Sequence, residues 1–166
     1  TNATGVNTSE GIELSGSWKP VNKKISLNFG YTFTDSYDAA SCDPDEKAAY
    51  ADNECREIGS KVQSAKVRVP RHSLQSKINY NISANLKGSL KGKYVGEARD
   101  FGNANNNYTD VILADYFVFD LETSYQLFND YKMFVNIGNI LDEEYEQAYQ
   151  YSTMGRTFNI GIRRVY

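Results

Sequence analysis

The chain has 166 residues, of which 23% are charged and 40% hydrophobic, with a net charge of −3 at pH 7. No apolar run reaches the roughly 20 residues that a membrane helix needs, which excludes a helical membrane protein. Thirteen tyrosines and eight phenylalanines are too many for a disordered chain. Charges of both signs are mixed along the chain under a net negative balance, which argues against a nucleic-acid-binding protein.

Seven segments show strict alternation of apolar and polar residues. Such a period of two places one apolar and one polar face on each segment and predicts amphipathic β-strands. The predicted strands run roughly 9–13 residues, which is longer than the ~5–6 typical of soluble proteins and close to the ~9–11 of a tilted transmembrane strand. In chain order the alternating apolar residues that mark these strands lie within residues 12–18, 25–33, 74–82, 86–94, 117–125, 133–137 and 158–166.

The connections between these strands alternate between short and long. The short connections cover residues 19–23, 83–84 and 128–130, and the long ones run from 35 to 71, from 97 to 113 and from 142 to 154. Outer-membrane barrels have short periplasmic turns and long extracellular loops, whereas a soluble β-sandwich has no reason to sort its loops by length. The sequence therefore predicts an all-β, antiparallel transmembrane β-barrel portion in the bacterial outer membrane.

The first long connection contains the two cysteines of the chain, Cys42 and Cys55. Two cysteines and a single histidine are too few for a structural zinc site, so we expect a disulfide formed in an oxidising compartment. Asp43 and Glu46 form a capping box, which predicts a short helix over residues 44–53. The acidic residues of this segment lack the ordered ligand spacing of a calcium loop, which favours a solvated surface over a metal site.

The second and third long connections are rich in asparagine, aspartate and tyrosine. These side chains suit a sugar, siderophore or cobalamin surface through stacking and hydrogen bonds. The alternative is a solvent-exposed loop that touches no ligand. The candidate substrate-binding residues are Asp100, Asn106, Tyr108, Asp110, Tyr149 and Tyr151.

The polar face of the central predicted strands carries charges of both signs. They are Lys77, Lys87, Lys91, Lys93, Asp120 and Glu122. One interpretation is an electrostatic lining for the path of a solute. The favoured interpretation is structural, with cross-strand ion pairs and contacts to a plug that hold a wide barrel in register.

Seven strands suggest an incomplete barrel, because bacterial single-chain barrels have an even number of strands. An open sheet would leave two unpaired edges in lipid. We therefore expect residues 1–166 to be the C-terminal part of a larger barrel. The alternatives are a small complete outer-membrane barrel, acting as an adhesin or an enzyme, and a soluble β-sandwich binding module.

Several short motifs, in order along the chain, resemble those of TonB-dependent outer-membrane receptors. The clearest is the Asn-Ile-Leu-Asp-Glu-Glu-Tyr stretch that begins at Asn139, followed by a Gly-Arg pair at Gly155. The other matching motifs begin at Gly11, Pro70, Tyr94 and Asp120. The resemblance covers about residues 11–166.

This resemblance implies a barrel of about 22 strands with an N-terminal plug domain, and an energy-coupling motif that contacts TonB. It implies active uptake of a scarce solute of the siderophore, cobalamin, haem or glycan class, with no cofactor. The plug and the earlier strands are absent from these 166 residues. The partners are then the lipid bilayer, the remaining strands, the plug, TonB and the barrel-assembly machinery.

The last predicted strand fits the assembly signal of this family. The signal places a terminal aromatic residue and apolar residues at alternate positions, here Phe158, Ile160, Ile162 and Tyr166. Arg164 departs from the pattern, and at a membrane rim it can snorkel to the headgroups.

Enzymatic activity is not supported by any motif. The sequence contains no Gly-x-Ser-x-Gly, no Cys–His dyad and no glycine-rich phosphate loop. His72 is placed at the mouth of a strand, where a rim histidine without a catalytic role is the favoured interpretation over a member of a hydrolase site. We expect a non-enzyme.

Overall fold

The computed structural model describes residues 7–21, 24–38, 55–58, 61–104, 107–128 and 130–164, which form strands and turns. Within these ranges no helix is long and apolar enough to cross a membrane. The strands are β1 (Thr8–Trp18), β2 (Ile25–Asp38), β3 (Cys55–Ile58), β4 (Lys61–Ala65), β5 (His72–Asn81), β6 (Leu86–Val95), β7 (Ala98–Ala104), β8 (Asn107–Leu113), β9 (Tyr116–Phe128), β10 (Tyr131–Gly138), β11 (Glu146–Ala148), β12 (Tyr151–Ser152) and β13 (Thr157–Arg164).

Seven long strands form one antiparallel sheet in the order β1, β2, β5, β6, β9, β10, β13. Each long strand pairs with the next long strand along the chain, so the sheet is an up-and-down meander. The strands coincide with the seven predicted from period two. The main difference is β2, which continues to Asp38 rather than ending near Phe33.

The register aligns the apolar residues of all seven strands on one face. Residues that lie opposite each other in an antiparallel pair point to the same side of the sheet. One apolar row crosses the entire sheet through Trp18, Leu27, Ile78, Leu90, Leu121, Ile137 and Phe158. The predicted alternation therefore fixes the register, because a shift by one residue would place polar side chains in this row.

The apolar face of this sheet has no second layer packed against it. Ile12 is 60% exposed and Ile160 is 75% exposed, although both are large hydrophobic residues. Among the described residues the buried hydrophobic side chains are Tyr37, Leu113 and Tyr116, all at the end of the sheet with the long connections. An exposed apolar band across seven long strands is the lipid-facing surface of part of a transmembrane barrel, and it excludes a dry β-sandwich.

The long connections, which the sequence predicts as loops, contain short hairpins. β3 and β4 pair with each other, and β4 extends the sheet by pairing with the end of β2 at Tyr37 and Asp38. β7 pairs with β8, and β11 pairs with β12. These strands are short, and the tip of the β7–β8 hairpin is rich in asparagine. The alternation of apolar and polar residues is therefore not evident in their sequence. The predicted helix over 44–53 and Cys42 lie outside the described residues, so the helix and the disulfide with Cys55 stay predictions.

Candidate functional site

The three long connections meet at the carboxylate of Asp100, in β7. This side chain is 1% exposed. Its Oδ1 accepts hydrogen bonds from Nε of Arg68 at 2.9 Å and from the backbone N–H of Phe101 at 2.8 Å. Its Oδ2 accepts one from the backbone N–H of Tyr149 at 2.7 Å. One carboxylate therefore joins the first, second and third connections.

The charge state of Asp100 follows from these contacts. Burial raises the pKa of the Asp100 carboxyl, but the hydrogen bonds from Arg68, Tyr149 and Phe101 together outweigh burial, so the pKa lies below its ordinary value. The same hydrogen bond and charge raise the pKa of the Arg68 guanidinium. Asp100 is therefore a carboxylate at neutral pH, and its charge is matched by Arg68 and two backbone dipoles.

Backbone contacts around Arg68 dock the first connection on the second. Arg68 has a positive φ of 59°, and its N–H donates to the carbonyl oxygen of Arg99 at 2.7 Å. In return, Nη1 of Arg99 donates to the carbonyl oxygen of Ala65 at 2.9 Å. The Arg99 guanidinium also lies 5.1 Å from the ring centre of Phe101. These contacts join the first and second connections beside Asp100.

A cavity of about 700 Å³ lies between the third connection and the turn that joins β8 to β9. The rings of Tyr116 and Tyr145 stack beside it with centroids 4.1 Å apart. Tyr149 lines this cavity and is half-buried. The third connection therefore has two anchors, the Tyr116 ring on β9 and the Asp100 carboxylate.

The structure brings together two of the six candidate substrate-binding residues, Asp100 and Tyr149. Tyr151 is 73% exposed on β12. The backbones of Tyr108 and Asp110 belong to β8, but their side chains and the whole of Asn106 lie outside the described residues. Arg68 was missed by the sequence analysis, because no local pattern distinguishes it from other arginines of a long connection.

Asn139 organises the turn that follows β10. It is 5% exposed and has a positive φ of 50°. Its backbone N–H donates to Oδ1 of Asp120 at 2.9 Å. Its side-chain Nδ2 donates to the carbonyl oxygen of Glu143, and its Oδ1 accepts from the Glu143 N–H, both at 2.9 Å. Asn139 thus links the motif that begins at Asp120 to the motif that begins at Asn139 itself. Its role is to form the turn after β10.

Asp142 closes the other side of this turn. It has a positive φ of 60°, and its Oδ1 accepts a hydrogen bond from the Arg156 N–H at 2.6 Å. A Cβ at Gly155 would lie 2.8 Å from that oxygen. A side chain at position 155 would displace the Asp142 carboxylate from the Arg156 N–H, which favours glycine there. The Gly-Arg pair thus holds the start of β13 against the turn.

His72 belongs to the outward-facing rim. The Tyr31 hydroxyl and Nδ1 of His72 form a hydrogen bond of 2.8 Å, and the Phe33 ring centre lies 5.3 Å from the imidazole. The neighbouring Arg71 contacts Oδ1 of Asp35 at 3.2 Å and the hydroxyl of Tyr37. His72 thus lies in an aromatic cluster on the lipid-facing side.

The terminal strand presents Phe158, Ile160 and Ile162 on the exposed apolar face. Their role as an assembly signal stays a prediction. Tyr166 lies outside the described residues. Arg164 is on the same face, where its guanidinium lies 5.8 Å from the Tyr131 ring centre and 3.9 Å from a carboxylate oxygen of Asp130.

Cross-strand ion pairs occur on the polar face, in agreement with the structural interpretation. Nζ of Lys77 lies 3.7 Å from Oε2 of Glu122, and Lys91 contacts the other oxygen of the same carboxylate. Glu122 therefore links β5, β6 and β9.

The comparisons with known proteins agree with this geometry. A family model described as TonB-dependent receptor-like, β-barrel matches residues 1–140. No curated protein sequence matches the chain.

Three solved receptors show the same fold over nearly the whole chain. The siderophore receptor PiuA from Acinetobacter baumannii superposes with a TM-score of 0.68 at 18% identity, covering 96% of this chain and 22% of that receptor. The ferric yersiniabactin uptake receptor FyuA from Yersinia pestis gives 0.69 at 19% identity, covering 96% and 24%. The ferripyoverdine receptor of the outer membrane of Pseudomonas aeruginosa gives 0.56 at 13% identity, covering 95% and 27%. The chain spans about a quarter of each receptor.

Proposed function

This chain belongs to the family of TonB-dependent receptor-like β-barrels of the outer membrane, and from that premise we propose that it is the C-terminal part of an active transporter's barrel. The observation that carries this proposal is the family match over residues 1–140. The missing partners are then the other barrel strands, a plug domain, TonB and the barrel-assembly machinery. The short turns face the periplasm and the long connections face the outside. The family consists of receptors and transporters, which favours a non-enzyme.

We further propose that the solute is an iron–siderophore complex. The three receptors compared above are a siderophore receptor, a ferric yersiniabactin receptor and a ferripyoverdine receptor. Their fold extends to this chain, and the tyrosine-rich connections supply stacking and hydrogen-bonding groups at the outer mouth. Cobalamin, haem and glycan receptors are the competing classes.

The candidate residues at the outer mouth have two proposed roles, which are contact with the ligand and positioning of the connections. Tyr149 and Tyr151 are available to contact a ligand. Asn106, Tyr108 and Asp110 stay candidates for the same role on the basis of the sequence. Asp100 has both oxygens engaged and almost no exposed area. We therefore assign Asp100 a positioning role, in which it holds the three connections at a fixed separation.

Uptake by the full receptor tests this proposal. The receptor is expressed in a Gram-negative host that lacks its own siderophore receptors, and uptake of radioactive iron is measured with a series of ferric siderophores. We expect saturable uptake of at least one of them. This uptake should be lost when TonB is deleted, and it should be absent with an inactive control receptor. Uptake of cobalamin or haem with no ferric siderophore transported would overturn the solute class, and uptake that is independent of TonB would overturn the transporter assignment.

A further inference from the structure

The third connection leaves the sheet at Asn139, and a carboxylate of the wall binds the backbone at that point. The N–H of Asn139 donates to Oδ1 of Asp120 on β9 at 2.9 Å. The next amide, that of Ile140, donates to the backbone carbonyl oxygen of Phe119 at 2.8 Å. Asp120 therefore supplies, through a side chain, the acceptor for the first amide after β10.

The two inner carboxylates of β9 have different partners. Asp120 and Glu122 lie on the inner face of the sheet, because Leu121 between them belongs to the outward apolar row. Lys91 lies opposite Asp120 in the register, but its Nζ contacts Glu122, which also pairs with Lys77. Glu122 therefore joins strands of the wall, whereas Asp120 binds the turn. These contacts all lie between residues of this chain, so they do not depend on what fills the bore.

Hydrogen bonds connect Asn139 to the tip of the third connection. The Asn139 side chain binds both the N–H and the carbonyl oxygen of Glu143, at 2.9 Å each. Two residues further on, the carbonyl oxygen of Tyr145 accepts hydrogen bonds from Oγ1 of Thr153 at 2.9 Å and from its N–H at 3.3 Å. This pair closes the base of the β11–β12 hairpin, which carries the two tyrosines available to a ligand.

The other end of the third connection contacts the same turn. The N–H of Asp142 donates to the carbonyl oxygen of Asn139 at 2.9 Å. Oδ1 of Asp142 accepts from the N–H of Arg156, one residue before β13, at 2.6 Å. Both ends of the connection therefore meet at Asn139, and a displacement of Asn139 would move the connection relative to the wall.

We propose that Asp120 is a positioning residue for solute binding. It holds Asn139 in place and thereby sets the distance of Tyr149 and Tyr151 from the wall. The proposal rests on the proposed function, since that function supplies the solute that these tyrosines contact. In this role Asp120 acts as a hydrogen-bond acceptor, whereas a residue that lines the solute path electrostatically acts through its charge. A neutral acceptor can replace Asp120 in the first role and cannot in the second.

Three variants of the full receptor separate these roles. D120A removes the acceptor, and D120N removes only the charge, since an amide oxygen still accepts a hydrogen bond. E122Q is the matched control, because it removes the neighbouring inner charge of the same strand. Hydrogen exchange at the amides of Asn139 and Glu143 should become about tenfold faster in D120A and should stay near its unmodified rate in the other two variants. The Ile140 amide is the internal reference, since its acceptor is a backbone carbonyl.

Uptake of the series of radioactive ferric siderophores gives the functional measurement. In D120A we expect the KM of uptake to rise about three- to tenfold with a maximal rate within about twofold of the unmodified receptor, because binding is weakened and translocation is not. D120N and E122Q should keep the unmodified KM. Absence of uptake in the unmodified receptor would overturn the proposed function, whereas the exchange rates test Asp120 independently of transport.

Three outcomes overturn the positioning role. Unchanged exchange at Asn139 and Glu143 in D120A means that Asp120 does not hold the turn. A lower maximal rate with an unchanged KM in D120A means that Asp120 only stabilises the barrel. An equal rise of KM in D120A and D120N means that the charge of Asp120 is what the solute requires.

Discussion

The membrane wall and the outer mouth of this chain are stabilised in different ways. The wall consists of seven strands joined by continuous backbone ladders, and its apolar rows face outward over the whole width of the sheet. The mouth consists of short hairpins held by a few polar side chains, above all Asp100 and Asn139. The stability of the wall therefore depends on many equivalent positions, whereas the structure of the mouth depends on a few individual polar residues.

The largest expected effect concerns the wall. Replacing Ile160 with lysine places a charge on the lipid-facing side near the middle of β13, which costs about 2–4 kcal/mol of unfolding free energy. Denaturant titration of the full receptor in lipid vesicles measures the loss. N159K is the matched control, because Asn159 faces the bore, and it should cost less than about 1 kcal/mol. Equal losses in I160K and N159K would contradict the assigned lipid-facing side.

The next effect concerns the mouth. D100A leaves Arg68 and two backbone N–H groups without their acceptor, at a cost of about 1–3 kcal/mol in local stability. Hydrogen exchange at the Tyr149 amide should become about 10- to 100-fold faster, while exchange in the wall stays unchanged. D130A, which removes an exposed aspartate at the opposite end of the sheet, is the control. A Tyr149 amide that stays equally protected in D100A would refute the role of Asp100 as the link between the connections.

The pH dependence of the mouth follows from the lowered pKa of Asp100. The ionised form makes the stabilising contacts, so its contribution is fully present above the unfolded pKa, near 3.9, and is lost as the pH falls through the lower folded pKa. Protection of the Tyr149 amide, corrected for its intrinsic exchange rate, should therefore be constant above about pH 5 and should decrease below about pH 4. In D100N this acid transition should be absent. A transition near neutral pH would instead indicate another titrating group.

The smallest effect is expected at the short-turn rim. Arg164 and Asp130 lie 3.9 Å apart, and both side chains are at least half exposed. Exposed ion pairs contribute little, so R164A should change the unfolding free energy by less than about 1 kcal/mol. The same vesicle titration measures it. A loss as large as that of I160K would show that Arg164 has a stronger role in the terminal strand than its contacts suggest.

The wall was predictable because its information is local. In β5, the residues Leu74, Ile78 and Tyr80 define the apolar face within a short segment, and the same period of two recurs in each long strand. The hairpin β7–β8 was not predicted, since its Asn-rich tip has the composition of a loop. Asn139 and Gly155 were found through the family resemblance, but their roles as turn-forming residues required the contacts themselves.

The sequence analysis gives Asp100 as a candidate substrate-binding residue of the second connection, but the surroundings of Asp100 were not predictable. Its partners Arg68 and Tyr149 are 32 and 49 residues away in the chain. No local sequence pattern predicts contacts over such distances. The sequence therefore suggested a residue that contacts a ligand, whereas the structure has a buried carboxylate that joins three connections.

The sequence by itself determined the strand period, the side of the sheet that faces lipid and the alternation of short and long connections. These follow from the solvent on each face, because lipid outside and water inside select apolar and polar residues in turn. Only the tertiary structure decided which polar residues at the mouth are buried together and which lysines of the inner wall contact Glu122. Those groupings arise when antiparallel strands return distant segments to the same end of the sheet, and burial then makes each charge depend on its neighbours.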